Sequence, residues 1–193
     1  MDTYNFSLVI TRPTVDEETA ADNLYGGGCD DATFSVSGGV YEVEFDREAP
    51  SFQAAVRSAI SDVNQAGIGS WVVRVVPDDL VNANAIAKRS GKTRRAVRFW
   101  YLGERGENFP APRAIVGESP VWSWVSVARW LYERGELDAN AVETAQVIAT
   151  VNREIEAASE PPPSHDSTLA ASQAETTPLG VEWAEPDGKN NSL

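Results

Sequence analysis

Residues 80–102, LVNANAIAKRSGKTRRAVRFWYL, decide how the chain is read, because they hold two short helical patterns parted by one glycine. Asn82 is a residue type that accepts the unpaired N–H groups at a helix start. Behind it, Ala83, Ile86, Ala87 and Ser90 recur at the three- and four-residue spacing of a single helix face. Gly91 breaks that pattern, and Thr93 caps a second helix predicted over 94–102. There Val97, Trp100 and Tyr101 share one face while Arg94, Arg95 and Arg98 share the opposite one. A short helix, a tight glycine-containing turn and another short helix make a helix-turn-helix.

Working outward, Phe109-Pro110-Ala111-Pro112 bars helix. Residues 113–116 and 121–123 then flank Gly117-Glu118-Ser119-Pro120 as a predicted hairpin. Val127, Trp130 and Leu131 mark a third amphipathic helix. The arginine face suits duplex DNA, since the planar guanidinium fork can grip guanine O6 and N7. Lys92 and the free N–H groups at the Thr93 cap are placed to hold a phosphate, with Arg113 near the backbone beside that helix.

Taken together, LVNANAIAKRSGKTRRAVRFW and FPAPRAIVGESPVWSWVSVARWL resemble the AlpA/excisionase branch of the MerR-like winged helix-turn-helix proteins, over about 55 of the 193 residues. That family shows an L-[TV]-x-x-E-[IA]-A-x-x-x-G-x-[ST]-R-x-x-V-x-x-W motif, then F-P-x-P, a short hairpin and a D-[VI]-x-x-W-[LI] helix. The resemblance implies DNA contacts from Thr93, Arg94, Arg95 and Arg98, helped by the hairpin wing near Ser119. Asn84 replaces the usual acidic residue of the first helix. Val125-Ser126 replaces the usual Ser-Asp, which leaves the third helix without its expected cap.

Upstream the order reads βαββαβ. Residues 5–10 form a strand; a helix over 16–25 is capped by Thr14, with Glu17 completing a capping box. Strands 32–37 and 40–46 flank Gly38-Gly39, a two-residue hairpin signal. Ser51 caps a helix whose Phe52, Ala55, Val56, Ala59, Ile60 and Val63 make one apolar stripe, and 71–76 is a final strand. The expected class is therefore α+β: a ferredoxin-like domain over 1–77, a winged helix-turn-helix domain over 78–136, a C-terminal helix over 137–158 and a disordered acidic tail over 159–193. In the C-terminal helix, Leu137, Ala141, Ala145, Ile148, Val151, Ile155 and Ala158 fit either a coiled-coil seam between protomers or a face packed on its own chain.

The net charge of −13 is unevenly spread. Residues 84–113 hold eight Lys/Arg against two Asp/Glu, whereas residues 1–76 hold four against twelve. Phosphate responds to the field within roughly 8 Å at physiological salt, so a basic island works inside an acidic protein. No apolar run approaches a membrane span, the start Met1-Asp2-Thr3-Tyr4 has no signal-peptide character, and the single Cys29 fits a reducing cytoplasm.

Catalytic signals are sparse. The only histidine, His165, lies in the expected tail, and Gly26-Gly27-Gly28 lacks the Lys-Ser/Thr of a phosphate loop. Asp30-Asp31, with Asp46 and Glu48, offers carboxylates for a cation site, but a solvated turn is the favoured reading. Trp122, Trp124 and Trp130 read as core rather than a base-stacking platform. The expectation is a DNA-binding regulator, transcriptional or excisionase-type, with no catalytic residue, metal or cofactor. A dimer reading two half-sites about one helical turn apart would supply the surface one module lacks. The alternative is an adaptor or antitoxin-like protein whose residues 1–76 grip a protein partner; a third reading has that domain sense a small molecule.

Overall fold

A computed structural model describes residues 1–159, so the tail, apart from Ser159, lies outside the described residues. They form a mixed α+β structure with six helices and two antiparallel sheets. In β1 (Asp2–Ile10) alternation turns Phe6, Leu8 and Ile10 inward. Then come α1 (Glu17–Gly26), β2 (Ala32–Ser37), β3 (Val40–Ala49), α2 (Phe52–Gln65) and β4 (Val72–Val76). The sheet order is β2-β3-β1-β4 with every neighbour antiparallel. Gly38 and Gly39 take φ of 58° and 83°, the left-handed pair that closes the β2–β3 hairpin in two residues. Ala20 and Leu24 of α1 and the α2 stripe cover the inner face, where Phe6 stacks on Phe45 at 5.4 Å.

Ser51 caps α2 as expected, accepting the Ala54 N–H at 3.2 Å. The cap of α1 is Asp16 and not Thr14: its carboxylate accepts both the N–H and the hydroxyl of Thr19 at 2.9 Å. Thr14 is drawn off instead, its N–H donating to Ile68 O.

The second half runs β5 (Leu80–Asn82), α3 (Ala83–Ser90), α4 (Arg94–Tyr101), β6 (Ala114–Val116), β7 (Ser119–Ser123), α5 (Trp124–Glu133) and α6 (Ala139–Ser159). Its sheet has the order β5-β7-β6. Residues 80–82, expected only to lead into a helix, form the edge strand β5. Val81 and Trp122 are cross-strand partners, both buried. The helix α5 does have a cap, contrary to expectation. Ser123 Oγ accepts the Ser126 N–H, and Asp79 Oδ1 reaches across to accept the Val125 N–H at 2.9 Å and the Ser123 hydroxyl at 3.1 Å.

Two apolar cores result, one per half, and α6 closes both. Ala145 belongs to the second core, while Ile148 and Val151 belong to the first. The buried Asn152 holds the edge of β4 like an extra strand: its Oδ1 accepts the Val75 N–H at 2.7 Å and its Nδ2 donates to Val75 O at 3.0 Å. Arg57 pairs with Glu154 in addition. The face considered as a seam between protomers is therefore occupied by the chain itself.

Candidate nucleic-acid interface

The turn between α3 and α4 is built as the sequence requires. Asn82 Oδ1 accepts the Ala85 N–H at 2.9 Å, Gly91 sits at φ 66°, and Thr93 Oγ1 accepts the Ala96 N–H at 3.1 Å. Val97 and Trp100 of α4 are buried, and Tyr101 lies 5.4 Å from the Trp122 ring. Behind them Trp100, Phe109 and Trp130 pack edge to face or tilted, with centroids 5.1–5.9 Å apart. The indole N–H of Trp130 donates to Glu107 O and that of Trp122 to Pro110 O, both at 3.0 Å, which fixes the long loop after α4. The three tryptophans 122, 124 and 130 are core residues.

On this support the outward face of α4 carries Thr93, Arg94, Arg95 and Arg98, all exposed. Among the described residues none of the three guanidiniums makes an ion pair. The first turn of α4 has no acidic side chain to complement the helix dipole. It holds Arg94 and Arg95 instead, each opposing that dipole at a cost of about 0.3–1 kcal/mol. Stability alone does not favour such an arrangement; an anion placed there reverses its sign.

The other expected contacts divide. Ser119 is exposed at the start of β7, paired with Val116 across the two-residue turn Gly117-Glu118 at the hairpin tip. Lys92 is not free: Glu136 binds its ammonium at 2.8 Å and also pairs with Arg134 at 3.0 Å. The Lys92 hydrogen bond, with help from Arg134, holds the Glu136 carboxyl below its ordinary pKa. Arg113 lines a cleft of about 540 Å³ together with Arg74, Asp78, Asn152 and Arg153, and no residue of α4 lines it. That cleft lies at the joint between the two halves, and Arg113 itself is exposed.

Arg89, part of the basic island, is also withdrawn. Its Nη2 donates to Asp78 O at 2.8 Å and its guanidinium lies 5.3 Å from the Trp124 ring; burial lowers its pKa against the pull of Asp78 and Asp79. Arg105, in the loop after α4, was not singled out from the sequence. Its guanidinium and that of Arg95 each lie 5.4 Å from the ring centroid of Phe99.

Of the acidic pair, Asp30 is exposed in the turn as expected, whereas Asp31 is drawn inward. Asp31 binds Arg47, a buried residue on the inner face of β3, through both carboxylate oxygens at 2.8 Å. The remaining Arg47 donors reach Asp62, Ser58 and Gly28 O, so all five N–H groups are used. The Asp31 hydrogen bonds raise the Arg47 pKa against the opposing effect of burial. Among the described residues no cluster of His, Cys, Asp or Glu is arranged to hold a metal. Cys29 beside this pair is buried, which pushes its thiol up to about 11. No family model, curated protein or solved structure matches the chain. Among the described residues no helix is long and apolar enough to cross a membrane.

Proposed function

We propose that the protein is a cytoplasmic DNA-binding regulator in which residues 78–136 form a winged helix-turn-helix, with α4 in the major groove and the β6–β7 hairpin as the wing. The order β5-α3-α4-β6-β7-α5 and the three-stranded sheet support this reading. The observation that carries it is the common projection of Arg94, Arg95 and Arg98, exposed and without carboxylate partners among the described residues, from a helix whose other face is buried. The order βαββαβ and a sheet with β1 and β3 at its centre support a ferredoxin-like N-terminal domain. A dimer remains the arrangement that gives one small module enough surface. With α6 occupied, the open edge strand β2 is the place for that pairing among those considered.

The test uses the full chain, because α6 makes residues 1–76 part of the structure's own packing. A duplex is selected from a random pool, and its affinity is followed by fluorescence anisotropy across a salt series. The variant Arg94→Ala/Arg95→Ala/Arg98→Ala should lose specific binding while unfolding at or slightly above the wild-type temperature. Undiminished binding would overturn the reading.

A second reading, a protein-binding adaptor, is favoured by one feature. Alternation along β3 sets Glu42, Glu44, Asp46 and Glu48 on the opposite side from buried Val43, Phe45 and Ala49. Loss of a captured partner in Glu44→Lys/Asp46→Lys, with DNA affinity intact, would favour it.

A further inference from the structure

Resting on the reading of α4 as the DNA-contacting helix, we infer that Arg105 is a further phosphate-binding residue, positioned for that contact by the ring of Phe99, which it shares with Arg95. Arg95 and Phe99 are one helical turn apart, so the two side chains stack along the outer surface of α4. Phe99 is only half-buried, unlike its neighbours Val97 and Trp100. The guanidiniums of Arg95 and Arg105 each lie 5.4 Å from its centroid. The ring's negative face attracts both cations while leaving their N–H edges free for an anion.

The backbone brings Arg105 to this position. Phe99 O accepts the N–H of Glu104 at 3.0 Å and of Arg105 at 3.1 Å, turning the chain back over the end of α4. Gly106 follows at φ 78°, with room for no Cβ: one built there would stand 2.9 Å from both the Trp100 and Trp130 rings. Arg105 is thus held at the end of the helix by a turn anchored in the aromatic core, and among the described residues it has no carboxylate partner. Arg94 and Arg95 mark the start of the same helix. The basic surface therefore runs the length of α4, as a duplex backbone passing alongside it requires.

The experiment measures affinity for the selected duplex against salt, using the full chain. Each phosphate contact contributes about 0.9 to the slope of log K against log salt. Arg105→Ala should lower that slope by about 0.9, weaken binding about fivefold near 0.15 M salt, and affect all duplex sequences alike. Phe99→Leu should weaken binding, Phe99→Tyr should restore it, and Phe99→Leu combined with Arg105→Ala should lose less than the sum of the two. An unchanged slope in Arg105→Ala, with the triple-arginine variant still defective, would refute the role of Arg105 and leave the proposed function standing. Strictly additive losses would refute the part assigned to Phe99. Failure of the wild-type chain to bind any duplex would overturn both readings.

Discussion

Asn152→Ala tests whether α6 joins the two halves into one cooperative unit. The substitution removes the acceptor of the Val75 N–H and the donor to Val75 O, bonds of 2.7 and 3.0 Å at a residue only 6% exposed. Each buried peptide group left unpaired costs about 1–3 kcal/mol. Two such groups give about 2–6 kcal/mol, and water entering the vacated space places the result in the lower part of that range, about 2–4 kcal/mol. For a chain of this size each kcal/mol lowers the melting temperature by about 2–4 °C, so a fall of about 5–15 °C is expected. Urea unfolding followed by tryptophan fluorescence and by far-ultraviolet circular dichroism would measure it. Four tryptophans, at 100, 122, 124 and 130, report on the second half, whereas the backbone signal reports on both. The two transitions should shift together. A loss below about 0.5 kcal/mol, the range of ordinary surface changes, would refute the clamp. A midpoint that rises with protein concentration in the wild-type chain but not in Asn152→Ala would instead show α6 gripping a second copy.

Three further outcomes follow from the geometry. Arg47→Ala strands Asp31 and Asp62 without their shared cation; because both keep some solvent contact, at 28% and 32% exposure, urea unfolding should show a loss of about 2–3 kcal/mol, below the 3–5 of a fully buried pair. Gly106→Ala should cost about 1–3 kcal/mol in a thermal melt, from a left-handed backbone together with the indole contacts, whereas Gly103→Ala, at φ 74° with open space around it, should cost about 1 kcal/mol. Glu136 has a depressed folded pKa, so its stabilisation is complete above its ordinary value of 4.5 and is lost as pH falls through the folded value. Glu136→Gln should accordingly differ from wild type by under about 1 kcal/mol at pH 7, and the urea midpoints should converge in stronger acid.

The elements legible in the sequence were those with periodic or local signals. Ser51, Asn82 and Thr93 cap the helices they precede, because a cap acts within three residues of itself. The strand alternation and the Gly38-Gly39 turn were equally local. What escaped was set by long-range pairing. The strand β5 is three residues long, too short to show alternation, and exists because β7 lies beside it. Asp79 caps α5 from 46 residues away, and Lys92 meets Glu136 across 44, so no spacing could reveal either. Thr14, the expected cap of α1, is bonded to Ile68 O, 54 residues away, and Asp16 caps the helix in its place. Arg47 did leave a trace, a cation at an inward position of an alternating strand. Such a residue requires a carboxylate partner, which Asp31 supplies.

The helix α6 also constrains how signals can travel in this molecule. Its 21 residues, about 31 Å of rigid rod, are seated in both cores at once. The four-stranded sheet therefore cannot swing against the arginine helix without first prising the rod from one of its seats. Whatever engages the acidic half must either leave the arginine face of α4 where it stands or dislodge Val151 and Asn152 to move it, so regulation through this half would operate as a latch, not as a flexible hinge.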